Sequence, residues 1–153
     1  GENDNYHPTD SHVLPALIRK FWLAKNSEIP VVTCWGTGIP LREFLYVDDL
    51  ADASLFVLEN WDPSKGELQT KDLNWLNVGS NYEISIKDLA EKIASIIGFK
   101  GEISWDKNKP DGTPRKKLDT SKLNKLGWEA KINLDEGIIK TINILRKKNK
   151  KFY

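Results

Sequence analysis

An α/β fold is predicted by three features of the chain. Helix-like and strand-like apolar periodicities alternate along it, Gly/Pro turns separate them, and no internal repeat or low-complexity tract breaks the order. At 153 residues the chain fits one domain with a sizeable core.

The first helix is expected to open at Asp10 or Ser11, with Pro15 in its first turn and Val13, Leu14, Leu17, Ile18, Phe21 and Trp22 as its apolar stripe. A short apolar strand over 31–35 ends in the turn chemistry of Gly36, Gly38 and Pro40. Residues 42–47 alternate polar and apolar, as a half-buried strand does. Asp48 or Asp49 then caps a helix whose buried side is expected to carry Leu50, Ala51, Ser54, Leu55 and Leu58. Residues 60–73 lose periodicity and read as a surface connection, and 75–78 read as a buried strand ending on Gly79.

Ser85 caps the best-patterned helix, with Ile86, Leu89, Ile93, Ile96 and Ile97 at helical spacing and Gly98 as its stop. A strand over 102–105 leads into a loop over 106–117. Asp119 and Thr120 open a helix of one to two turns closed by Gly127, and the last helix runs over 133–148 on Leu134, Ile138, Ile142 and Leu145.

Composition removes several classes of function. A net charge of +1 argues against binding nucleic acid by bulk charge. The apolar runs are too short to cross a bilayer. One cysteine, Cys34, rules out an internal disulfide framework or a multi-cysteine zinc site, and its apolar strand setting suits core packing. The charge is uneven: residues 1–60 hold 4 basic and 9 acidic side chains, while residues 61–153 hold 19 and 13. The cationic run from Arg146 to Lys151 reads as a solvated helix end. The chain starts at Gly1 and contains no methionine, so it is expected to be part of a longer protein.

Three places carry candidate chemistry. In the loop over 109–117, Pro110, Gly112 and Pro114 stiffen the backbone while cations and one carboxylate, Asp111, project from a small area. Such a loop suits a phosphate-bearing ligand, or is a stiff surface loop with solvated cations. Arg42 follows a Gly/Pro turn close to Trp35; the pair either clamps a charged group beside a flat one, or divides into a core indole and a structural ion pair. His12 lies at a helix N-terminus, where the neutral imidazole is favoured and presented to a ligand, or is simply exposed there. No Gly-x-Gly-x-x-Gly, no Gly-x-x-x-x-Gly-Lys-Ser/Thr and no metal-ligand cluster occurs, so alone the chain is a poor candidate for a complete enzyme.

Four segments, taken together, resemble the GDP-L-fucose synthases in order and spacing. They are Ser11-His12-Val13-Leu14-Pro15, Trp35-Gly36-Thr37-Gly38 with Arg42-Glu43-Phe44-Leu45-Tyr46-Val47-Asp48-Asp49, Leu76-Asn77-Val78-Gly79, and Lys109-Pro110-Asp111-Gly112-Thr113-Pro114-Arg115-Lys116. The Arg42–Asp49 block is shared by many nucleotide-sugar epimerases and dehydratases; the Ser-His-Val start and the Lys-Pro-Asp-Gly-Thr-Pro-Arg-Lys loop are more specific. The resemblance implies an extended short-chain dehydrogenase/reductase of Rossmann type. Residues 1–153 would be its C-terminal, substrate-binding half, with elements that complete the Rossmann sheet.

The implied activity converts GDP-4-keto-6-deoxy-D-mannose to GDP-L-fucose by epimerisation and NADPH-dependent reduction. By the same resemblance His12 is the acid/base histidine beside the cofactor. Lys20, Trp35, Arg42 and Asp111 fall on GDP-sugar positions, and Lys116 is a cation near the diphosphate. Lys20 stands where relatives often have arginine, replacing a fork with a point charge. NADPH would be held mainly by an upstream half that also supplies the catalytic Tyr-x-x-x-Lys. A homodimer in the cytosol is implied for the whole protein. Another nucleotide-sugar epimerase or dehydratase, or a non-catalytic nucleotide-binding relic, are the competing expectations.

Overall fold

Helix α1 (Val13–Asn26) is followed by strand β1 (Val31–Trp35), strand β2 (Leu41–Glu43) and helix α2 (Val47–Asn60). Then come β3 (Glu83–Ser85), α3 (Ile86–Ile97), β4 (Glu102–Asp106), β5 (Arg115–Lys116), α4 (Ser121–Lys125) and α5 (Leu134–Lys147). The structure is a computed structural model that describes residues 1, 3–64 and 75–147. Most of the expected surface connection, and the basic run beyond Lys147, lie outside the described residues.

Two small sheets organise the chain. Strands β1 and β4 pair in parallel, Val32 opposite Ile103 and Cys34 opposite Trp105. In the second sheet β2 lies between β3, antiparallel, and β5, parallel. The main core gathers Leu17, Ile18 and Phe21 of α1, Val32 and Cys34 of β1, Leu89, Ile93 and Ile97 of α3, and Ile138, Ile142 and Leu145 of α5. Helix α3 forms as its sequence predicts: Ser85 Oγ accepts the Asp88 N–H at 3.0 Å, and Gly98, at φ +82°, closes it in the left-handed region that favours glycine. Among the described residues no helix is long and apolar enough to cross a membrane.

Several local expectations are corrected. The cap residue of α1 is His12, not Ser11, and no side chain caps this helix. The half-buried strand over 42–47 is shorter, because the chain leaves the sheet after Glu43 and enters α2 through Tyr46. Residues 75–78 form no strand; Leu76 and Val78 pack instead on a second cluster of Ala53, Leu123 and Trp128.

The largest correction concerns α2. Its inner face is Asp49, Ala53, Phe56 and Val57, whereas Leu55 and Leu58 are 62% and 81% exposed and Val47 and Leu50 also face out. The helix is apolar on two sides, and this chain covers one of them.

Carboxylates of the Arg42–Asp49 block hold these pieces together. Glu43 accepts the backbone N–H groups of Asn81 at 2.7 Å and Leu118 at 3.1 Å. Asp49, 3% exposed, accepts those of Ile132 at 2.8 Å and Lys131 at 3.1 Å through one oxygen. Asp52 accepts from the Trp128 indole at 2.8 Å and Lys131 Nζ at 3.0 Å, and these hydrogen bonds hold its carboxyl below the usual carboxylate range.

Two outcomes follow from this packing. Asp49→Ala strands two inward-facing N–H groups and costs about 2–4 kcal/mol in urea unfolding. The 153-residue chain by itself self-associates through the outer face of α2; sedimentation detects this, and a double Leu55→Glu, Leu58→Glu substitution abolishes it.

Candidate functional site

Alternation along β1 sends Val32 and Cys34 inward and leaves Thr33 and Trp35 on the outer side. Trp35 is therefore 58% exposed, which removes the reading of it as a core indole. It stands at the carboxyl end of β1, and parallel β4 ends beside it, where open parallel sheets bind their ligands. A cavity of about 260 Å³ opens there, with Trp35, Lys20, Arg42, Cys34, Pro110 and Asp111 in its wall.

Cations gather around the indole. Lys20 Nζ lies 5.6 Å and Lys109 Nζ 5.3 Å from the ring centroid, within cation–π range. Lys20 also donates to the Thr33 carbonyl at 2.9 Å, which ties its head to the outer side of β1. Arg42 donates Nη1 to the Leu41 carbonyl at 2.7 Å and makes no carboxylate ion pair among the described residues, so the structural-pair reading of Arg42 is also removed. Lys116 is the register partner of Arg42 in the parallel β2–β5 pair, so both cations project from one face. It does not line the cavity itself.

The loop between β4 and β5 reaches this site through two attachments. Asp111 accepts the Thr37 N–H at 2.6 Å on one oxygen and the Thr37 hydroxyl at 2.7 Å on the other. Leu41 N–H donates to the Pro114 carbonyl at 2.9 Å, leading β5 into register. Gly36, at φ +77°, is required twice over: its backbone is left-handed, and an added Cβ would collide with Asp111 Oδ1. The Thr37 N–H, then its hydroxyl, hold the Asp111 carboxyl below its ordinary value.

Not every cation of the loop is free for a ligand. Arg115 is bidentate to Glu83, Nε at 2.8 Å and Nη2 at 2.5 Å, which keeps the Glu83 carboxyl below the usual range. The Arg115 pair staples β5 to β3 across the sheet, with Lys117 at 4.0 Å from the same carboxylate. The loop is thus part structural fastening, part site wall.

His12 lies elsewhere. It lines a second cavity of about 280 Å³ with Asp4, Phe44, Tyr46, Leu50 and Leu134, on the other side of the α1 start from Trp35. Val13 alone touches both cavities through adjacent positions of that helix turn. Cys34 is buried as expected, and burial pushes its thiol pKa up despite the opposing charge of Lys20, so it is no nucleophile. Among the described residues no group of His, Cys, Asp and Glu could hold a metal ion. Lys109 belongs to the cationic loop expected from the sequence, whereas Thr37 is a site neighbour that the sequence did not mark. Thr37 was part of a recognised turn, and its partner lies 74 residues away, beyond any local pattern.

Residues 1–71 match the NAD dependent epimerase/dehydratase family. GDP-L-fucose synthase 1 of Arabidopsis thaliana is 50% identical over 141 residues, 92% of this chain and 41% of that protein. Over residues 1–71 the chain is similar to the NAD dependent epimerase/dehydratase family. It spans about two fifths of the length of the curated relatives it matches.

Among solved structures, a GDP-6-OMe-4-keto-L-xylo-heptose reductase from C. jejuni superposes with a TM-score of 0.86 at 31% identity, over 97% of this chain and 51% of that one. A GDP-L-fucose synthetase from Naegleria fowleri bound to NADP gives 0.80 at 26%, over 97% and 44%. These likenesses establish the extended Rossmann-type α/β class and associate the family with a nicotinamide cofactor. Among the described residues the Gly36–Gly38 turn leads into strand β2 and not into a helix N-terminus, so that turn is not a dinucleotide cradle.

The Asp111–Thr37 attachment has a defined pH response. The folded state lowers the Asp111 pKa and the unfolded chain does not, so the attachment is complete above the ordinary value of 3.8 and is lost as pH falls through the lower folded value. The Thr37 amide resonance accordingly holds its position down to that ordinary value and moves only below it. In Thr37→Val the midpoint shifts upward, because one of the two donors is gone.

Proposed function

We propose that this chain is the C-terminal, substrate-side part of a GDP-L-fucose synthase, and that the Trp35 cavity receives the nucleotide diphosphate of GDP-4-keto-6-deoxy-D-mannose. One observation carries the reading: Lys20 and Lys109 stand over an exposed indole where two parallel strands end, and Arg42 lines the same cavity as that indole. Such a site offers cations to phosphate oxygens and a flat apolar face to a base or sugar. The 50% identity to a plant GDP-L-fucose synthase supports the choice of nucleotide sugar.

Within that reading, Arg42 is the forked donor to the diphosphate, with Lys116 beside it on the same sheet face and Lys20 and Asp111 in the wall. His12 is the proton donor and acceptor for epimerisation, working from the second cavity, whose open side belongs to the cofactor-binding part of the whole protein. The resemblance to the GDP-L-fucose synthases supports NADPH, a homodimer and a cytosolic setting. The nicotinamide supplies hydride for the 4-reduction when bound, and this chain's share is to hold the sugar nucleotide still. The outer face of α2 is the surface that the cofactor-binding part covers.

A second GDP-sugar substrate is favoured by one observation, the 0.86 superposition on a GDP-heptose reductase. The nucleotide half of the site is common to both readings, and the sugar distinguishes them. Calorimetric titration with GDP, with UDP as control, tests the nucleotide. GDP binds in preference to UDP, and Arg42→Ala weakens GDP by about tenfold or more, the loss of one charge-assisted fork. Equal binding of GDP and UDP, or an unaffected Arg42→Ala variant, contradicts the reading. NADPH oxidation by the full-length protein with each GDP-keto-sugar then separates fucose synthase from heptose reductase.

A further inference from the structure

Eight residues join the end of β4 to the start of β5, and their course determines where the far wall of the Trp35 cavity stands. Among the described residues, this connection is fastened to the 36–41 turn at two points, Asp111 on Thr37 and Pro114 on Leu41. The remaining bonds of the loop, from Asn108 and Lys109 back to Asp106, are internal to its first turn and cannot place it against β1.

Thr37 is placed to do more than close a turn. Its N–H and hydroxyl take one oxygen each of the Asp111 carboxylate, which orients that group fully. The hydroxyl also accepts the Ile39 N–H at 3.2 Å, so its proton is committed to Asp111 and its rotation is restricted. Each carboxylate oxygen keeps acceptor capacity beyond its Thr37 donor, and Asp111 lines the cavity. Three features at or beside the cavity follow the same anchor: Lys109 over the Trp35 ring, Pro110 in the wall, and Gly112, where an added Cβ would stand 3.6 Å from Arg42 Nη2.

We propose that Thr37 is a positioning residue for nucleotide-sugar binding: it holds the Asp111 loop in the place where Pro110 and Asp111 complete the cavity beside Arg42 and Lys109 stands over Trp35. The proposal rests on the reading of this cavity as the GDP-sugar site. Thr37 itself touches no reacting atom, so its removal alters how well the nucleotide is held and not the chemical step.

The test uses the full-length protein with NADPH and its GDP-keto-sugar, together with GDP titration. Thr37→Val removes the hydroxyl and keeps the branched shape; it raises the KM for the GDP-sugar and the Kd for GDP about tenfold, as loss of a hydrogen bond to an ionised acceptor does. Its kcat and its KM for NADPH stay within about twofold, because neither depends on the loop. Thr37→Ser, which keeps the hydroxyl, restores both sugar-nucleotide constants. Thr37→Ala adds no atoms and carries the same test should the valine variant fold poorly.

A Thr37→Val protein that binds GDP as tightly as the unsubstituted one overturns the proposal. So does a variant whose kcat falls while its KM for the GDP-sugar is unchanged, or one that serine does not rescue. If the unsubstituted protein ignores GDP altogether, the GDP-sugar reading of the cavity falls first and this proposal with it.

Discussion

The fastening of the 107–114 connection to the turn after β1 is the constraint on which the candidate site depends. The connection leaves β4, whose partner is β1, and returns beside β2, which belongs to the other sheet. The two bonds from Thr37 to Asp111 and the one from Leu41 to Pro114 therefore join the sheets at the candidate site. Without them the cavity that Trp35 and Arg42 share loses the fastening of its Pro110 and Asp111 side. With them, cations of α1 and β2 share one opening, and Lys109 of the loop stands over the Trp35 ring beside it.

The Arg42-Glu43-Phe44-Leu45-Tyr46-Val47-Asp48-Asp49 block divides its labour in a way that its residue types alone do not show. Arg42 faces the cavity, while Glu43 and Asp49 spend their carboxylates on backbone N–H groups from distant segments. An acidic group that satisfies two such donors in place of water fixes the relative position of both segments. The cavity-lining cation thus sits next to two structural anions in one short run, and the anions fasten that run to distant segments.

Much of the fold was legible from periodicity and caps. Helix α3 carries a capping serine, a single apolar face and a terminal glycine, so every local signal agrees and the structure follows them. Helix α2 carries apolar residues on two faces, and periodicity cannot say which of them its own chain covers. The choice fell on Ala53, Phe56 and Val57 because Leu123 and Trp128 lie there. The 75–78 segment misled for a related reason: its apolar residues are used for packing, and no strand edge is offered to them.

The site was legible in its residue types and less so in its geometry. Lys20, Trp35, Arg42 and Asp111 do line one cavity, and Lys116 stands beside Arg42, but His12 opens onto a different one. Residue types announce cations for phosphate and an indole for a flat group; which of them share a wall is decided by pairings 74 residues apart. The measurement that tests the account most directly is an experimental structure of the protein with GDP bound. The account predicts the diphosphate against Arg42 with a cation of Lys20, Lys109 or Lys116 on its other side, and Asp111 still held by Thr37. GDP lodged away from Trp35 and Arg42 contradicts it.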